Sequence, residues 1–372
     1  MNRRKDIFMK VLVAMSGGVD SSVAALMMKK NGYECIGGHT CVGCTMKLYN
    51  NEDAGIPQGH TCCSLDDVED ARSVAKKLGM PYFVFNFSDD FKEKVVNRFI
   101  DAYSKGMTPN PCIDCNRFMK FDKLFERADI LECDCIATGH YARIEKENGK
   151  YVLKKAVDPT KDQSYVLYAM TQAQLARTLF PLGGLHKTET RKLADESGFV
   201  NAEKPDSQDI CFVPDGDYAS VIERFTGKKT EPGNFVDTKG NVLGKHNGII
   251  RYTIGQPRWL GLSLSEKKYV CRIRPDKNEI VLGNSEELFS REFSVGDFNW
   301  ISGEAPSEPF RCKAKVRYRQ QEQPALVTPC ADGTVEVVFD EPQRAITPGQ
   351  AAVLYDGETV LGGGVIEPFS EN

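Results

Sequence analysis

The segment between the first predicted strand and the first predicted helix constrains the fold most. It reads Ser16-Gly17-Gly18-Val19-Asp20-Ser21-Ser22. The apolar run Val11–Met15 before it is typical of a buried strand, and the pattern from Ser22 to Lys30 is typical of a helix. Such a loop presents backbone N–H groups and the positive helix end to an anion, and its glycines let a phosphate approach closely. No Gly-Lys-Ser/Thr follows, which excludes the usual NTPase loop. The segment therefore predicts a phosphate-binding loop, with a Ser-capped tight turn as the alternative.

Strand and helix patterns continue to alternate through the first two-thirds of the chain. Tyr33–Ile36, Tyr82–Phe87 and Cys135–Thr138 read as strands, and Ser64–Gly79, Asp90–Tyr103 and Phe121–Ala128 as helices. This succession predicts an α/β domain with a mostly parallel sheet. After about Asp215, short alternating segments with Gly and Pro turns predict further domains, the last of them a small β-barrel or sandwich. We place the domain boundaries at 8–212, 213–288 and 289–372.

Composition restricts the class of protein. The chain has 372 residues, 41% of them hydrophobic and 27% charged, which excludes a disordered chain or a fibre. Its apolar runs are far shorter than the ~20 residues that a membrane-spanning helix needs, and no signal core follows the basic start. We therefore expect a cytoplasmic protein with no membrane partner. The net charge of −4 excludes a globally basic nucleic-acid binder but allows a local basic face.

Thirteen cysteines without an export signal favour metal, iron–sulfur or sulfur chemistry over a disulfide framework. Cys112 and Cys115 follow Thr108–Pro111, whose two prolines predict an extended, stiff loop. Cys211 lies much further on, within Asp206–Phe212. Two reactive cysteines that meet in space could pass sulfur between them or ligate iron together. The alternatives are half of a structural zinc site for the first pair and a core position for Cys211.

A second group of thiols and imidazoles lies near the N-terminus. It has enough ligands for a zinc ion, which takes four in tetrahedral geometry. The alternative is a mobile surface loop that carries spare thiols. The members of this group are His39, Cys41, Cys44, His60, Cys62 and Cys63.

Cations alternate with other residues from Arg311 to Arg319. In a strand, the period of two would place all five cations on one face and turn the residues from Cys312 to Tyr318 between them towards the core. A row of cations can neutralise a phosphate backbone despite the net negative charge. The segment predicts an RNA-binding face, with a solvated strand face as the alternative.

The phosphate-loop string resembles Ser-Gly-Gly-x-Asp-Ser, the signature of the PP-loop ATP pyrophosphatases, which split ATP between the α- and β-phosphates and adenylate a substrate. Further motifs occur in the order typical of the tRNA-specific 2-thiouridylase family, and the resemblance covers nearly the whole chain. These motifs are Thr108–Asn116, Ala137–Tyr141, Lys161–Tyr165, Ser207–Phe212, Thr253–Gln256, Lys315–Arg319, Thr347–Gln350 and Gly362–Gly364.

The resemblance implies a fold and a reaction. The fold is an α/β PP-loop domain of the adenine nucleotide α-hydrolase type, a small mixed central adaptor domain and a C-terminal β-barrel that binds tRNA. The reaction is 2-thiolation of the wobble uridine, position 34, in tRNAs for Lys, Glu and Gln. ATP with Mg²⁺ adenylates the C2 oxygen of uracil, sulfur replaces that oxygen, and AMP and pyrophosphate are released. The sulfur donor would be a cysteine desulfurase, a relay protein or sulfide.

The resemblance also implies site residues. Cys115 matches the family's proposed nucleophile, Cys211 its proposed persulfide carrier, and Asp20 would hold Mg²⁺. ATP would lie on Ala14, Met15, Ser16, Gly17, Gly18, Val19, Asp20 and Ser21, with Met46 and Gly139 near the adenosine. The positions that match tRNA contacts are His140, Lys161, Asp162, Gln163, Arg317, Tyr318 and Gln350.

The chain departs from the family pattern at three places, one of which is a short insertion at Gly38–Gly43 that adds Cys41. Many relatives carry Asp where this chain has Cys112. With Cys115 and Cys211 this gives three thiolates, enough to hold a [4Fe-4S] cluster whose fourth iron is open to a sulfide donor. The alternative is a persulfide relay between Cys115 and Cys211, with a disulfide between them. Pro257 and Trp259 replace flexible or basic positions, which weakens the expectation of a tRNA contact there.

Two other classes of function fit parts of the sequence. A synthetase of the PP-loop superfamily acting on a small molecule would share the phosphate loop but would not need the cysteine pair or the basic segment. A non-enzymatic metal- or RNA-binding module would need no intact loop. Pyrophosphate release that depends on tRNA would exclude the small-molecule synthetase. Failure to bind ATP would favour the non-enzymatic binding module.

Overall fold

The computed structural model describes residues 9–30, 40–49, 65–206, 210–213, 216–257, 261 and 266–369. The chain divides into two compact units. The first comprises the described residues of Met1–Val95, Cys112–Gly216 and Glu358–Val360, and the second those of Val96–Pro111, Asp217–Gly357 and Leu361–Asn372. No helix within the described ranges is long and apolar enough to cross a membrane.

Seven strands of the described chain precede residue 180. They are β1 (Lys10–Ala14), β2 (Thr40–Lys47), β3 (Tyr82–Asn86), β4 (Cys135–Ala137), β5 (Ala142–Glu147), β6 (Lys150–Lys155) and β7 (Thr178–Leu179). Five of them form a parallel sheet in the order β3-β2-β1-β4-β7. The other two, β5 and β6, form an antiparallel hairpin, and β6 pairs with Thr359 and Val360. The parallel α/β domain predicted from the sequence is confirmed.

The helices alternate with these strands. They are α1 (Val19–Lys30), α2 (Leu65–Lys77), α3 (Ser88–Phe91), α4 (Asn97–Ser104), α5 (Pro111–Asp114), α6 (Leu124–Ile130), α7 (Gln172–Ala176), α8 (Lys187–Glu196) and α9 (Tyr218–Thr226). Lys92–Val96 and Cys115–Lys123 are π-helical, and 3₁₀ turns cover Ser164–Leu167, Ile249–Arg251, Pro275–Lys277 and Ser285–Leu288.

The central strand β1 and helix α1 supply the core that fixes the first loop. Val11 and Val13 of β1 are buried, as are Val23 and Leu26 of α1. A central strand of a parallel sheet is covered on both faces, which explains the continuous apolar run. The helix begins at Val19, three residues earlier than the sequence pattern indicated. The reason is that Ser22 N–H donates to the carbonyl of Gly18 at 3.2 Å, which closes the first turn.

Two local predictions are wrong. The segment with Cys41 and Cys44 is not a surface loop but strand β2, which pairs with β1 on one side and β3 on the other. The prolines do not hold the chain extended as far as Cys115, because α5 begins at Pro111. Proline suits the first position of a helix, where its fixed φ is helical and no N–H is needed. The strand predicted at Tyr33–Ile36 lies outside the described residues.

The second unit contains a four-stranded sheet and a barrel. β8 (Gly233–Asp237), β9 (Val242–His246), β10 (Tyr269–Arg274) and β11 (Glu279–Gly283) pair in the order β10-β11-β8-β9. The later strands are β12 (Phe289–Trp300), β13 (Phe310–Lys315), β14 (Gln323–Pro329), β15 (Val335–Arg344), β16 (Ala351–Asp356) and β17 (Thr359–Ile366). They pair in the order β12-β15-β14-β13-β16-β17, and β12 also pairs with β17. These six strands form a closed ring, so the last domain is a barrel and not a sandwich.

The basic segment is only partly a strand. β13 ends at Lys315, and turns follow. The expected single face of five cations is therefore wrong beyond Lys315. Tyr318, expected to face the core, is 38% exposed. Arg311 is within the strand, and its guanidinium pairs with Asp340 Oδ1 at 2.6 Å.

Candidate active site

The phosphate loop is organised by its own hydroxyl groups. Ser16 N–H donates to Ser21 Oγ at 3.1 Å. The hydroxyls of Ser21 and Ser22 both donate to the carbonyl of Gly18 at 3.0 Å. These bonds fold the chain tightly around the N-terminus of α1, where the backbone N–H groups favour an anion. The hydrogen bonds that hold the loop in this shape thus come from the protein itself.

A residue that the sequence did not single out secures this loop from outside. Asn201 is buried, and its side-chain amide donates to the carbonyl of Gly17 at 2.8 Å and to Ser22 Oγ at 2.9 Å. Asn201 lies beyond α8, far from the loop in sequence, and no spacing pattern pointed to it. It ties the last part of the α/β unit to the phosphate loop.

Two glycines are required by close approach of the backbone. Gly17 has a φ of +78°, and a Cβ atom there would lie 2.3 Å from the carbonyl oxygen of Asp67. A Cβ atom on Gly139 would lie 2.8 Å from the N atom of Ser21. The loop after β4 thus lies directly against the start of α1, which places Gly139 beside the phosphate loop.

The other residues expected to hold ATP lie on the strands beside this loop. Ala14 ends β1 opposite Cys44 of β2, and Met46 follows two residues later in β2. Met15 N–H donates to the carbonyl of Cys44 at 2.7 Å. The structure therefore brings together the set from Ala14 to Ser21 with Gly139, and Met46 lies on the adjacent strand.

Asp20, expected to hold Mg²⁺, has two protein partners. Its Oδ1 atom accepts hydrogen bonds from Lys187 Nζ at 2.6 Å and from the Tyr141 hydroxyl at 2.9 Å. Burial raises the pKa of Tyr141, so its phenol stays protonated and donates. The Asp20 side chain is about one-third exposed. One accessible carboxylate at a phosphate loop fits Mg²⁺, which is held by one or two carboxylates and the substrate's phosphates.

Asp206 is the centre of a second set of ion pairs. Its Oδ1 accepts from Lys187 at 2.7 Å and from Arg191 at 2.9 Å, and its Oδ2 accepts from Lys161 at 2.8 Å. Burial alone would raise the pKa of the Asp206 carboxyl, but the bonds from Lys161 and Lys187 outweigh it and hold that pKa below its usual value. Lys187 therefore bridges Asp20 and Asp206, a connection that the sequence did not indicate.

His140, expected to contact tRNA, is 7% exposed. Its ring contacts Phe121 and Phe180, and Lys120 Nζ donates to its Nε2 at 3.4 Å. Burial lowers the pKa of His140 well below its usual range, and the charge of Lys120 lowers it further. The ring is therefore neutral, with its proton on Nδ1, where it donates to Thr138 Oγ1 at 2.6 Å. The tRNA contact stays a prediction.

The segment Lys161–Gln163 is held by local bonds. Asp162 accepts from the backbone N–H groups of Ala156 and Ser164 and from the hydroxyl of Ser164. Gln163 and Tyr141 exchange two bonds, from Tyr141 N–H to Gln163 Oε1 and from Gln163 N–H to the Tyr141 carbonyl, both at 2.9 Å. Lys161 is one-third exposed, so its ammonium is accessible while it binds Asp206.

The cysteines expected to carry sulfur lie in the first unit. Cys112 is exposed within α5, Cys115 is half-buried at the start of the π-helical segment, and Cys211 is half-buried. The hydroxyl of Tyr49 donates to the backbone carbonyl of Cys211 at 2.6 Å. Phe212, the next residue, is fully buried with its ring against Phe91.

These three thiols do not form a preformed cluster site. Within the described ranges, no group of three or more His, Cys, Asp or Glu side chains is arranged to hold a metal ion. Cys112, Cys115 and Cys211 all lie in those ranges. The donor set therefore does not fit an iron–sulfur cluster in this conformation, and we derive no step through one.

The cysteines of the central strands are core residues. Cys41 and Cys44 are buried in β2 and three positions apart, so their side chains point to opposite faces. They cannot ligate one ion together, and the zinc interpretation is wrong for this pair; Cys62, Cys63, His39 and His60 lie outside the described residues. Burial raises the pKa of Cys135 to about 12, which keeps that thiol protonated and inert.

The remaining expected tRNA contacts belong to the second unit. Arg317 Nη2 donates to the carbonyl of Ala345 and to Thr347 Oγ1, each at 2.8 Å. Gln350 Nε2 donates to the carbonyl of Thr108 at 2.6 Å. Tyr318 is exposed beside Lys315, whose Nζ lies 5.7 Å from the ring centre. Arg317 and Gln350 thus have structural bonds, whereas Tyr318 presents its ring to solvent.

Comparison with known proteins agrees with this architecture. The family models named tRNA methyl transferase HUP domain, tRNA methyl transferase PRC-barrel domain and aminomethyltransferase beta-barrel domain match residues 9–215, 219–284 and 290–366. A tRNA-specific 2-thiouridylase MnmA of Clostridioides difficile is 51% identical over 360 residues, which is 96% of this chain and 98% of that protein. The protein of the same name from Acetivibrio thermocellus is 52% identical over 362 residues, which is 96% of this chain and 99% of the relative. With half of its residues shared over nearly its whole length, the chain belongs to the tRNA-specific 2-thiouridylase family.

Proposed function

We propose that this protein is an ATP-dependent tRNA-uridine 2-sulfurtransferase that makes 2-thiouridine at position 34 of tRNAs for Lys, Glu and Gln. The observation that carries the proposal is the phosphate loop, which folds around the start of α1 next to the Asp20 carboxylate, in a chain of this family. The proposal places the enzyme in the cytoplasm, where its tRNA substrate takes part in translation.

ATP is needed because a carbonyl oxygen is a poor leaving group. The C2 oxygen of uracil attacks the α-phosphorus of ATP, and pyrophosphate leaves. The backbone N–H groups at the start of α1 stabilise the charge that develops on the phosphates. Asp20 would hold Mg²⁺, which supplies charge neutralisation at those phosphates. Gly139 would lie near the adenosine, because its missing side chain lets the loop after β4 pack directly against the backbone of Asp20 and Ser21.

Sulfur then replaces the activated oxygen. The terminal sulfur of a persulfide on Cys211 attacks C2, and the C2–O bond breaks as AMP leaves with that oxygen. The Cys115 thiolate next attacks Sγ of Cys211, which forms a Cys115–Cys211 disulfide and releases 2-thiouridine. A thiol reductant then reduces the disulfide, and a persulfide on a cysteine desulfurase or a relay protein passes its outer sulfur to Cys211. Where sulfide is the donor, it instead attacks Sγ of Cys211 in the disulfide, which forms the next Cys211 persulfide and releases the Cys115 thiolate. The anchors of Cys211, which are the Tyr49 bond and the buried Phe212, support its role as the carrier.

The target uridine is unpaired but must leave its stack, which costs a few kcal/mol. Contacts to the anticodon-loop backbone would offset that cost. We propose the domains 8–212 for ATP and sulfur chemistry, 213–288 as adaptor and 289–372 for tRNA. The proposed tRNA contacts are His140, Lys161, Asp162, Gln163, Arg317, Tyr318 and Gln350. Tyr318 is exposed and the Lys161 side chain is about one-third exposed, so both are accessible to a ligand.

The test measures pyrophosphate release and 2-thiouridine formation from ATP, sulfide and an unmodified tRNA transcript. Both products should require the tRNA. Cys115→Ser should abolish 2-thiouridine while ATP still binds, and Cys330→Ser, which changes a thiol of the second unit, should leave both products unchanged. Pyrophosphate released equally well without tRNA would instead indicate a PP-loop synthetase for a small molecule.

A further inference from the structure

The Lys187 ammonium lies beside the carboxylate that would hold the metal ion. Its Nζ atom donates to Oδ1 of Asp20 at 2.6 Å, and the Tyr141 hydroxyl donates to the same oxygen at 2.9 Å. The Asp20 side chain is 32% exposed, whereas that of Lys187 is only 9% exposed. A cation that reached this carboxylate from solvent would therefore come close to a buried positive charge.

Other contacts keep the ammonium in this place. Asp206 Oδ1 accepts from Nζ of Lys187 at 2.7 Å, and the ring of Tyr141 lies next to Nζ, with its centre 5.8 Å away. The backbone of Lys187 is also held, because its N–H donates to Asp158 Oδ2 at 3.0 Å where α8 begins. An exposed lysine could swing away from an arriving cation. A buried ammonium that left these partners would lose them at a high cost, so Lys187 stays.

The carboxylate of Asp206 does not cancel the charge of Lys187. It also accepts from Lys161 at 2.8 Å and from Arg191 at 2.9 Å. In this connected set of ion pairs, three cations share two carboxylates, which leaves one positive charge in excess. Like charges repel more strongly in a partly buried site than in bulk water. A bare divalent cation is therefore disfavoured at Asp20.

The triphosphate of ATP reverses this balance. Its phosphates carry more negative charge than one divalent cation neutralises, so the complex of metal and nucleotide is an anion. An anion is attracted both by the excess charge of the ion pairs and by the N–H groups at the start of α1. The charges that repel the bare cation thus favour the same cation when it arrives on the nucleotide.

We propose that Lys187 keeps bare divalent cations away from Asp20, so that the metal ion enters this site only together with the triphosphate. This inference rests on the proposed function for the role of Asp20 as a ligand of Mg²⁺. Lys187 acts through its charge and takes no part in the bonds that form or break. Free Mg²⁺ therefore does not occupy the carboxylate ahead of the nucleotide.

The test uses Mn²⁺, a paramagnetic substitute for Mg²⁺, with the full chain. Mn²⁺ bound to a protein enhances the relaxation rate of water protons, and the difference from the matching Asp20→Asn variant isolates binding at Asp20. Without nucleotide, Lys187→Met should bind Mn²⁺ at least about tenfold more tightly than the wild-type protein, because the repelling charge is gone. With saturating α,β-methylene-ATP, which cannot be split between the α- and β-phosphates, the wild-type protein should bind Mn²⁺ at Asp20.

Lys192→Met is the matched control, because Lys192 lies on the same helix with its side chain 75% exposed. This variant also loses one positive charge, and it should bind Mn²⁺ no better than the wild-type protein. A gain of affinity that is confined to Lys187→Met and abolished by adding Asp20→Asn cannot arise from damage to the fold.

Equal Mn²⁺ affinities of the wild-type protein and Lys187→Met without nucleotide would overturn the inference. Should Lys187→Met fail to fold, the wild-type protein decides, because Mn²⁺ binding that depends on Asp20 but needs no nucleotide would also overturn it. No binding at Asp20 even with the nucleotide would overturn the metal role of Asp20 in the proposed function, and this inference with it. Neither measurement uses tRNA or a sulfur donor, so a failed thiolation assay would refute the proposed function without changing these results.

Discussion

The side-chain amide of Asn201 donates a hydrogen bond to the main-chain carbonyl of Gly17, 2.8 Å away, across 184 positions of the sequence. This bond joins the last part of the α/β unit to the loop that faces the nucleotide. The same amide reaches Ser22 Oγ at 2.9 Å. The shape of the phosphate loop thus depends on a residue that never needs to touch ATP.

Asn201→Ala should lower both stability and ATP affinity. The variant leaves the buried carbonyl of Gly17 and the hydroxyl of Ser22 without this donor, which costs about 2–3 kcal/mol in the free energy of unfolding. Urea denaturation measures that loss, and calorimetry with ATP should show weaker binding. Ser22→Ala keeps the bond from Asn201 to Gly17, and the Gly18 carbonyl that loses the Ser22 hydroxyl still accepts from Ser21, so this variant should cost less. Equal stability of Asn201→Ala and the wild-type protein would contradict the role given to this amide.

Gly17→Ala should prevent the loop from forming. The added methyl would lie 2.3 Å from the carbonyl oxygen of Asp67, at a φ of +78° that side chains already disfavour. Gly79→Ala is the matched control, because Gly79 has a φ of +64° but no atom within 4 Å of the added methyl. The control should cost about 1 kcal/mol, whereas Gly17→Ala should cost several and abolish ATP binding. Denaturation measures the free energy of unfolding of both variants. Similar losses would mean that the backbone moves to remove the clash with Asp67, which would contradict this prediction.

His140 should make stability depend on pH in the acid range. Its pKa in the folded chain lies well below the ordinary value near 6.5, so below that pH the unfolded chain binds the proton more readily. The stability from neutral His140 is complete above about pH 6.5 and falls as pH decreases, by up to about 1.4 kcal/mol per pH unit, until the folded pKa is reached. His140→Gln should lack this component, so the difference in unfolding free energy between wild type and variant should shrink in acid. A difference that is constant from pH 7 to 5 would contradict a buried neutral ring.

Arg317→Met should reduce stability more than Arg319→Met. The guanidinium of Arg317 donates to Ala345 and Thr347, whereas Arg319 is exposed in the following turn. We expect a loss of about 2–3 kcal/mol for Arg317→Met and less than about 0.5 kcal/mol for Arg319→Met, measured by urea denaturation. If Arg317 acts only on tRNA, its variant would instead keep full stability and lose only tRNA affinity.

Local sequence patterns predicted those elements whose conformation is determined by residues close together in the chain. The buried run of β1, the loop at Ser16, the helix α2 and the turns of the barrel follow from periodicity, glycine positions and capping. Strand β2 was not predicted, because the consecutive residues 41–45 are all buried and show no alternation. The helix at Pro111 was missed because proline breaks a helix in its interior but favours its first turn.

The site was predicted less completely than the fold. The loop residues are consecutive in the chain, so a motif reveals them. Lys187 and Asn201 reach the loop only through the tertiary fold, and Asp206 is connected to it through Lys187. Their hydrogen bonds leave no spacing pattern in the sequence. In the basic segment, alternation alone could not show that β13 ends at Lys315.

Adenylation of the uridine can be followed with one isotope. A tRNA transcript whose U34 carries ¹⁸O at the C2 oxygen is incubated with the protein, Mg²⁺, ATP and sulfide, and the AMP is analysed by mass spectrometry. We predict one ¹⁸O atom in each AMP formed together with 2-thiouridine, because the C2 oxygen leaves on the α-phosphate. AMP without ¹⁸O while 2-thiouridine accumulates would show that ATP does not activate the C2 oxygen and would contradict the proposed reaction.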